Sequence, residues 1–401
     1  MEDFAFLKSC FDRFYHVGAL PNGGVKRLGY TVEENAMHQI LKEISSEMEF
    51  FFRTDEVGNS FVSLNNPLFP FVVGSHLDSV PNGGRYDGVA GILAGLLLLK
   101  WVKERALDLP LSVVAFRCEE SSRFGQATVG SHLASEKLGD KLAILHDSDG
   151  VTLEEAIKKA GFSPRPYKLK VRGFLELHIE QGRVLEEKRI PIGIVTSIAA
   201  PVRLWLDIKG RQDHSGATPM EMRKDALAFA SEVVLLVEKL GRAESHRKSV
   251  ATVGVLHLEP NAMNVVPGHV ELGIDIRGID LLSREEVVQG LVKGVEEISR
   301  TRDVEYVLKE ISREDPVSMD EEIISGLKHA ATFEGVRFLE MPSGAGHDAM
   351  VMASVTKAGM LFIPCKGGIS HNPQEEANLE DVQLGARIML RYLEEAAKGG
   401  D

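Results

Sequence analysis

Cysteine is scarce in this chain. The three that occur, Cys10, Cys118 and Cys365, are odd in number, far apart and without a CxxC pair. That excludes a disulfide framework and a cysteine-based zinc site, and fits reduced thiols used in packing. Long apolar runs are missing too. The longest, Gly88 to Leu99, falls far short of the roughly 20 residues that span a bilayer, so no membrane partner is expected. Basic residues are in deficit: 46 Lys and Arg against 59 Asp and Glu give a formal net charge of −13. With no Lys/Arg-dense stretch to provide a counter-field, nucleic acid is not an expected partner. Met1 to Leu20 interleaves Glu2, Asp3, Lys8, Asp12 and Arg13 with Phe4, Leu7, Phe11 and Phe14. This is the pattern of an amphipathic surface helix and not of a secretory signal, so a cytoplasmic location is expected.

What the chain does have is 44% hydrophobic content over 401 residues, enough for one large core or two moderate ones. Apolar runs at Phe69 to Gly74 and Leu111 to Cys118 flank a helical stretch from Gly88 to about Arg105. A further run, Gly359 to Cys365, precedes a last amphipathic helix at about Leu379 to Ala397. That order predicts an α/β domain, a mostly parallel sheet covered by helices.

Between these parts the periodicity changes. Val202, Leu204, Leu206 and Ile208 alternate with Arg203, Trp205, Asp207 and Lys209, as in a strand with one solvated face. Thr218-Pro219-Met220-Glu221 reads as a helix start, with the helix reaching about Gly241. Strands follow at Ser249 to His257 and Val270 to Arg277. Ser283 with Glu286 forms a capping box for a helix to about Arg302, and Val304 to Ile311 is a final strand. The order β-α-β-β-α-β matches a ferredoxin-like unit. The expected organisation is therefore a parallel-sheet domain of residues 1–198 and 314–401 interrupted by an α+β module of residues 199–313.

The sequence VVGSHLDSVPNGGRYDG, Val72 to Gly88, sets one histidine, two aspartates and three glycines just after an apolar run. Ligands of open α/β sheets bind outside the carboxyl ends of strands, and several strand ends here deliver metal-type side chains. The first gives His76, Asp78 and Asp87; the second gives Glu119 and Glu120; FLELHIEQG gives His178; and the run before GGISH gives His371. Imidazoles and carboxylates suit zinc, manganese, cobalt or nickel, and several carboxylates can hold two ions through a bridge. Of two adjacent glutamates one can ligate while its neighbour serves as a general base. Gly83, Gly84 and Gly88 allow the backbone to swing Asp87 back beside His76.

The set GSHLDSVPNGGRYDG, EESSRFG, ELHIEQG, HSGATPM, NVVPGHVELGIDIRG, SGAGHDA and GISHNP resembles the amidase/hydantoinase/carbamoylase branch of the dinuclear metallo-exopeptidases. That branch includes N-carbamoyl-L-amino acid hydrolases and allantoate amidohydrolases. The resemblance implies a metallo-exopeptidase-like catalytic domain carrying a dimerisation or lid module, and two divalent ions (Mn2+, Zn2+, Co2+ or Ni2+). It implies His76, Asp87 and His178 at one ion, Asp87, Glu120 and His371 at the other, Glu119 as the base, and Asp78 as the carboxylate that orients His76. It also assigns His214 to the scissile carbonyl, Arg277 and Asn264 to a substrate carboxylate, and Gln181 and His347 to further substrate contacts. The expected activity is hydrolysis of the ureido C–N bond of N-carbamoyl-L-amino acids by a homodimer. Allantoate hydrolysis is the alternative, and an aminoacylase or dipeptidase activity ranks below it. A non-catalytic binding protein would be expected to have lost a ligand or the base.

Overall fold

The computed structural model describes residues 2–398. Met1 of the expected N-terminal helix and the chain end of the expected catalytic domain, beyond Lys398, lie outside the described residues. The chain divides into two compact units, one of Met1–Thr196 with Ser318–Asp401 and one of Ser197–Val317.

The first unit is built on a nine-stranded sheet. Four neighbouring strands at its centre, Leu111–Phe116, Phe71–His76, Gly173–Ile179 and Ala358–Ile363, run parallel. Antiparallel strands flank them on both sides, with Ser60–Ser63 beyond Leu111–Phe116 and Ile192–Ile198 beyond Ala358–Ile363. The parallel strands are buried on both faces, which is why they read as apolar runs without alternation. Val73, Val113, Leu175, Leu177 and Leu361 join one core with helices Val89–Glu104 and Leu379–Lys398. The alternate residues Phe116, Phe174 and Phe362 build the other layer, where Phe362 meets the ring of His347 at 5.7 Å, just before the short helix Asp348–Met352. Helix Val89–Glu104 is apolar around its whole circumference, with 14 of 16 residues buried, as a helix running through a core must be. The mixed α/β fold with a mostly parallel sheet agrees with the sequence pattern.

The second unit is a four-stranded antiparallel sheet in the order Glu305–Arg313, Ala200–Lys209, His269–Gly278, Val250–Glu259. Helices Ala226–Glu244 and Leu281–Arg302 pack on it over a core that includes Val202, Leu204, Leu206, Ile208, Val270, Leu272, Ile274 and Ile276. Two helix starts differ from the sequence reading. The first helix begins at Ala226, because Asp225 accepts hydrogen bonds from the amides of Leu227 and Ala228. The segment around Thr218 is a loop that folds back to donate to the His214 carbonyl. The second helix begins at Leu281 with Asp280 as its cap. Ser283, expected as the cap, instead directs its hydroxyl to Glu244 and Ser249. In both cases the helix starts where an aspartate carboxylate accepts free amides of the first turn.

Candidate metal centre

The parallel strands end at one level, and their carboxyl ends carry the candidate ligands. His76 is the last residue of its strand and lies in register with Phe116, three positions before Glu119; His178 is in register with Phe362. Asp87 returns to the centre through a tight turn. Gly88, at φ +65°, has no room for a side chain: a Cβ would lie 2.5 Å from the His76 carbonyl oxygen and 2.7 Å from its ring. Three non-glycine residues beside these ligands or among them, Cys118, Gln181 and His371, also hold left-handed backbone, at φ of 52°, 59° and 54°. Such conformations persist only where the surroundings impose them, and they cluster at functional sites.

His76, Asp87 and His178 bring one ligand atom each within 4.8 Å of one another, and so do Asp87, Glu120 and His371. Asp87 Oδ1 lies 3.3 Å from His76 Nε2 and 3.0 Å from His178 Nε2; Oδ2 lies 3.3 Å from His371 Nε2, which is also 3.3 Å from Glu120 Oε1. The outer ring nitrogens are already engaged. Asp78 holds His76 Nδ1 at 3.3 Å, and the Ile179 carbonyl oxygen holds His178 Nδ1 at 2.9 Å, which fixes the tautomer whose Nε2 lone pair faces the centre. Nitrogen and oxygen donors in two triplets that share a carboxylate therefore fit two divalent cations. Glu119 belongs to neither triplet; its Oε2 stands 3.8 Å from His76 Nε2.

The electrostatics point the same way. Burial pushes the Glu119 carboxyl well above the usual carboxylate range, and Glu120, Asp348 and Asp78 add to this against the opposing pull of His76. Hydrogen bonds to Asp87 and Glu120 lift His371 to about 11. Burial opposes the charging of His76, but Glu119, Asp78 and Asp87 outweigh it. For His178, burial disfavours the charged form while Asp87 and Glu176 favour it. The Gly88 amide, fixed 3.2 Å from Nε2 by the start of helix Val89–Glu104, needs a lone pair there and favours the neutral tautomer. A cluster of buried carboxylates drawing protons onto imidazoles is the state that cations relieve.

Asp78 does more than orient an imidazole. Its two oxygens accept the main-chain amides of Glu119 and Glu120, both at 3.0 Å. Gln181 Nε2 donates to Asp87 Oδ2 at 2.8 Å, while its buried Oε1 has no partner among the described residues. His347 is 2% exposed, packs against His178 with ring centroids 4.6 Å apart and the rings tilted by 59°, and bonds Ser343 Oγ at 2.9 Å through Nε2; burial holds it well below the usual histidine range. In the second unit, His214 pairs with Val265 in a two-residue ribbon, Ser215 donates to the Asn264 carbonyl, and Arg277 sits on strand His269–Gly278 with Nε 2.8 Å from Asp275. Sequence reasoning did not single out Glu176, which accepts from Ser75 and the Ala349 amide, or Glu375, which accepts from the amides of Tyr86 and Asp87. The only available signal was proximity, since Glu176 precedes His178 by two positions and Glu375 follows His371 by four.

Two donor triplets sharing a buried aspartate, with a glutamate alongside that belongs to neither, could hold two cations next to a free carboxylate, the elements of metal-assisted hydrolysis. Comparison with known proteins agrees. Residues 72–395 match the model of peptidase family M20/M25/M40, and the chain belongs to that family. It is 37% identical to the allantoate amidohydrolase of Bacillus subtilis, over 94% of this chain and 93% of that one. It is 35% identical to an N-carbamoyl-L-amino acid amidohydrolase of Geobacillus stearothermophilus, over 96% of each. Among solved structures, an amidase of the hydantoinase/carbamoylase family from Burkholderia multivorans matches with a TM-score of 0.89 at 34% identity, covering 98% of this chain and 97% of the other.

Proposed function

We propose that this chain hydrolyses the ureido C–N bond of N-carbamoyl-L-amino acids, giving the amino acid, ammonia and carbon dioxide. The observation that carries the reading is the position of Glu119, buried beside both donor triplets and part of neither. Two divalent ions held by His76, Asp87, His178, Glu120 and His371 would lower the pKa of bound water and polarise a carbonyl oxygen. Glu119 takes the proton from the attacking water and passes it to the departing nitrogen. Asp78 keeps Glu119 and Glu120 in place through their amides. In the second unit His214 is assigned to the developing oxyanion, and Arg277 with Asn264 to the substrate carboxylate, for which a guanidinium fork is the matching shape. Gln181 and His347 are assigned to substrate contacts near the centre. The second unit is also proposed to pair two copies of the chain: Val250–Glu259 is an edge strand with Val255 and Leu256 exposed, and such an edge invites pairing.

The relative at 37% identity favours a second reading, allantoate hydrolysis, because allantoate offers the same ureido and carboxylate groups. Protein stripped by chelator and reloaded with manganese, cobalt, nickel or zinc should release ammonia from one of these ureido acids and not from dipeptides or N-acyl amino acids. Ammonia release that survives chelation, or is confined to dipeptides, would overturn the proposal. No helix among the described residues is long and apolar enough to cross a membrane.

A further inference from the structure

A single carboxylate joins the loop that carries Asp87 to the loop that carries His371. Glu375 is fully buried. Its Oε1 accepts the Tyr86 amide at 2.8 Å and the Asp87 amide at 3.0 Å. Its Oε2 lies 3.1 Å from Ser370 Oγ, whose hydroxyl is also 3.0 Å from Asp87 Oδ2. Gly84 makes room for it, since a Cβ at that position would lie 2.0 Å from the Glu375 carboxyl carbon. Asp87 and Glu375 stand 288 positions apart in sequence, so no local preference brings these loops together. The need for such a tie differs between the two triplets. His76 and His178 are strand residues, fixed by the sheet. His371 lies beyond its strand, is half-exposed and has left-handed backbone.

We propose that Glu375 is a positioning residue for the Asp87, Glu120 and His371 triplet, setting the separation between the shared aspartate and the exposed histidine without ligating an ion itself. This rests on the two-triplet reading of the centre. Loss of the latch leaves Asp87 held by His76, His178 and Gln181 and frees the His371 loop, so the effect falls on one ion and not on both.

Manganese alone is the probe. Chelator-treated protein is titrated calorimetrically with Mn2+, and its melting is followed with and without the ion. The parental chain is expected to take two ions. In E375A the first ion should bind within about threefold of the parental affinity, while the second weakens about 10- to 100-fold, the usual effect of losing a group that supports a ligand. E375Q keeps an oxygen for the two amides and should recover most of the second affinity. Parental binding of both ions by E375A would overturn the role, and so would equal weakening of both ions. Should E375A fail to fold, S370A decides by the same criterion, because it removes the other half of the latch. A parental chain that takes up no manganese would instead overturn the two-triplet reading itself.

Discussion

Replacing Glu119 with glutamine isolates proton transfer from everything else the centre does. The residue is 7% exposed, glutamine has nearly the same volume, and the main chain at residue 119 stays anchored because the amide still donates to Asp78 at 3.0 Å. The charge and the ability to accept a proton are all that is lost. A positioned general base contributes about 10²- to 10⁴-fold. In the proposed mechanism Glu119 acts twice, on the water and on the leaving nitrogen, so the upper part of that range applies: kcat should fall about 10³- to 10⁴-fold, or ~4–5.5 kcal/mol of barrier. The substrate KM should change little, and inductively coupled plasma analysis should find unchanged metal content, because Glu119 is outside both donor triplets. The stability effect has a definite sign. Burial and Glu120 raise the folded-state pKa of Glu119, so the parental protein loses stability as pH climbs above the unfolded value of about 4.3. In chelator at pH 7, E119Q should therefore melt no lower than the parent. E120Q provides the contrast, since it should lose an ion. Parental turnover by E119Q would refute the assignment of the base, and inactivity accompanied by missing metal would make Glu119 a ligand instead.

Three further outcomes follow from the geometry. In D78N one of the two oxygens that accept the Glu119 and Glu120 amides becomes a donor facing a donor; about 1–3 kcal/mol of stability and about 10- to 100-fold in manganese affinity should be lost by melting and titration, and unchanged values would refute the anchoring role. R277A should raise KM for carboxylate-bearing substrates about 10- to 100-fold, as the loss of a charge-assisted hydrogen bond of about 1.5–3 kcal/mol requires; it should leave KM for the corresponding amides alone, and equal effects on both would count against the clamp. Burial, followed by neighbouring Glu176, lifts the Asp348 carboxyl to about 8 from an unfolded value of about 3.9, so the folded chain keeps a proton that the unfolded chain releases. Stability should fall from about pH 4 to 8 by up to ~1.4 kcal/mol per unit. D348N, which still accepts from Ser131, should gain in melting temperature over the parent as pH rises through that window and no further above it; a gain independent of pH would refute the account.

Much of this was readable from side-chain period alone. Strands buried on both faces appear as apolar runs, the α+β unit appears as alternation, and candidate ligands at strand ends appear as histidines and carboxylates where a run stops. Family resemblance was needed to choose His371 over His347. The structure shows why spacing could not: both follow strands of the same sheet, but His347 turns in behind His178, and His371 reaches Asp87 and Glu120. The two helix starts were misplaced for a local reason. Serine and threonine capping signals were visible in sequence, while Asp225 and Asp280, which in fact cap, looked like ordinary loop acids. Glu176 and Glu375 were invisible because their partners are main-chain amides and, for Glu176, a serine hydroxyl on segments distant in sequence, which leave no pattern in a sequence.

Those unseen groups share a physical logic. A turn that follows a buried strand leaves amide groups with no strand to pair with, and buried amides without partners are costly. Here carboxylates accept them. Asp78 takes residues 119 and 120, Glu375 takes 86 and 87, Glu34 takes 30 and 118, and Glu180 takes 184 and 185. These bonds tie the turns that carry Asp87, Glu119 and Glu120 to carboxylates on neighbouring segments. The same choice concentrates negative charge. Asp78, Asp87, Glu119, Glu120, Glu176 and Glu375 are all buried, with the imidazoles of His76, His178 and His371 set against them. Neutral hydrogen-bond acceptors could have satisfied the amides without that excess. The carboxylates do both jobs, because the charge that makes them firm anchors also makes the centre attractive to divalent cations and costly to leave without them.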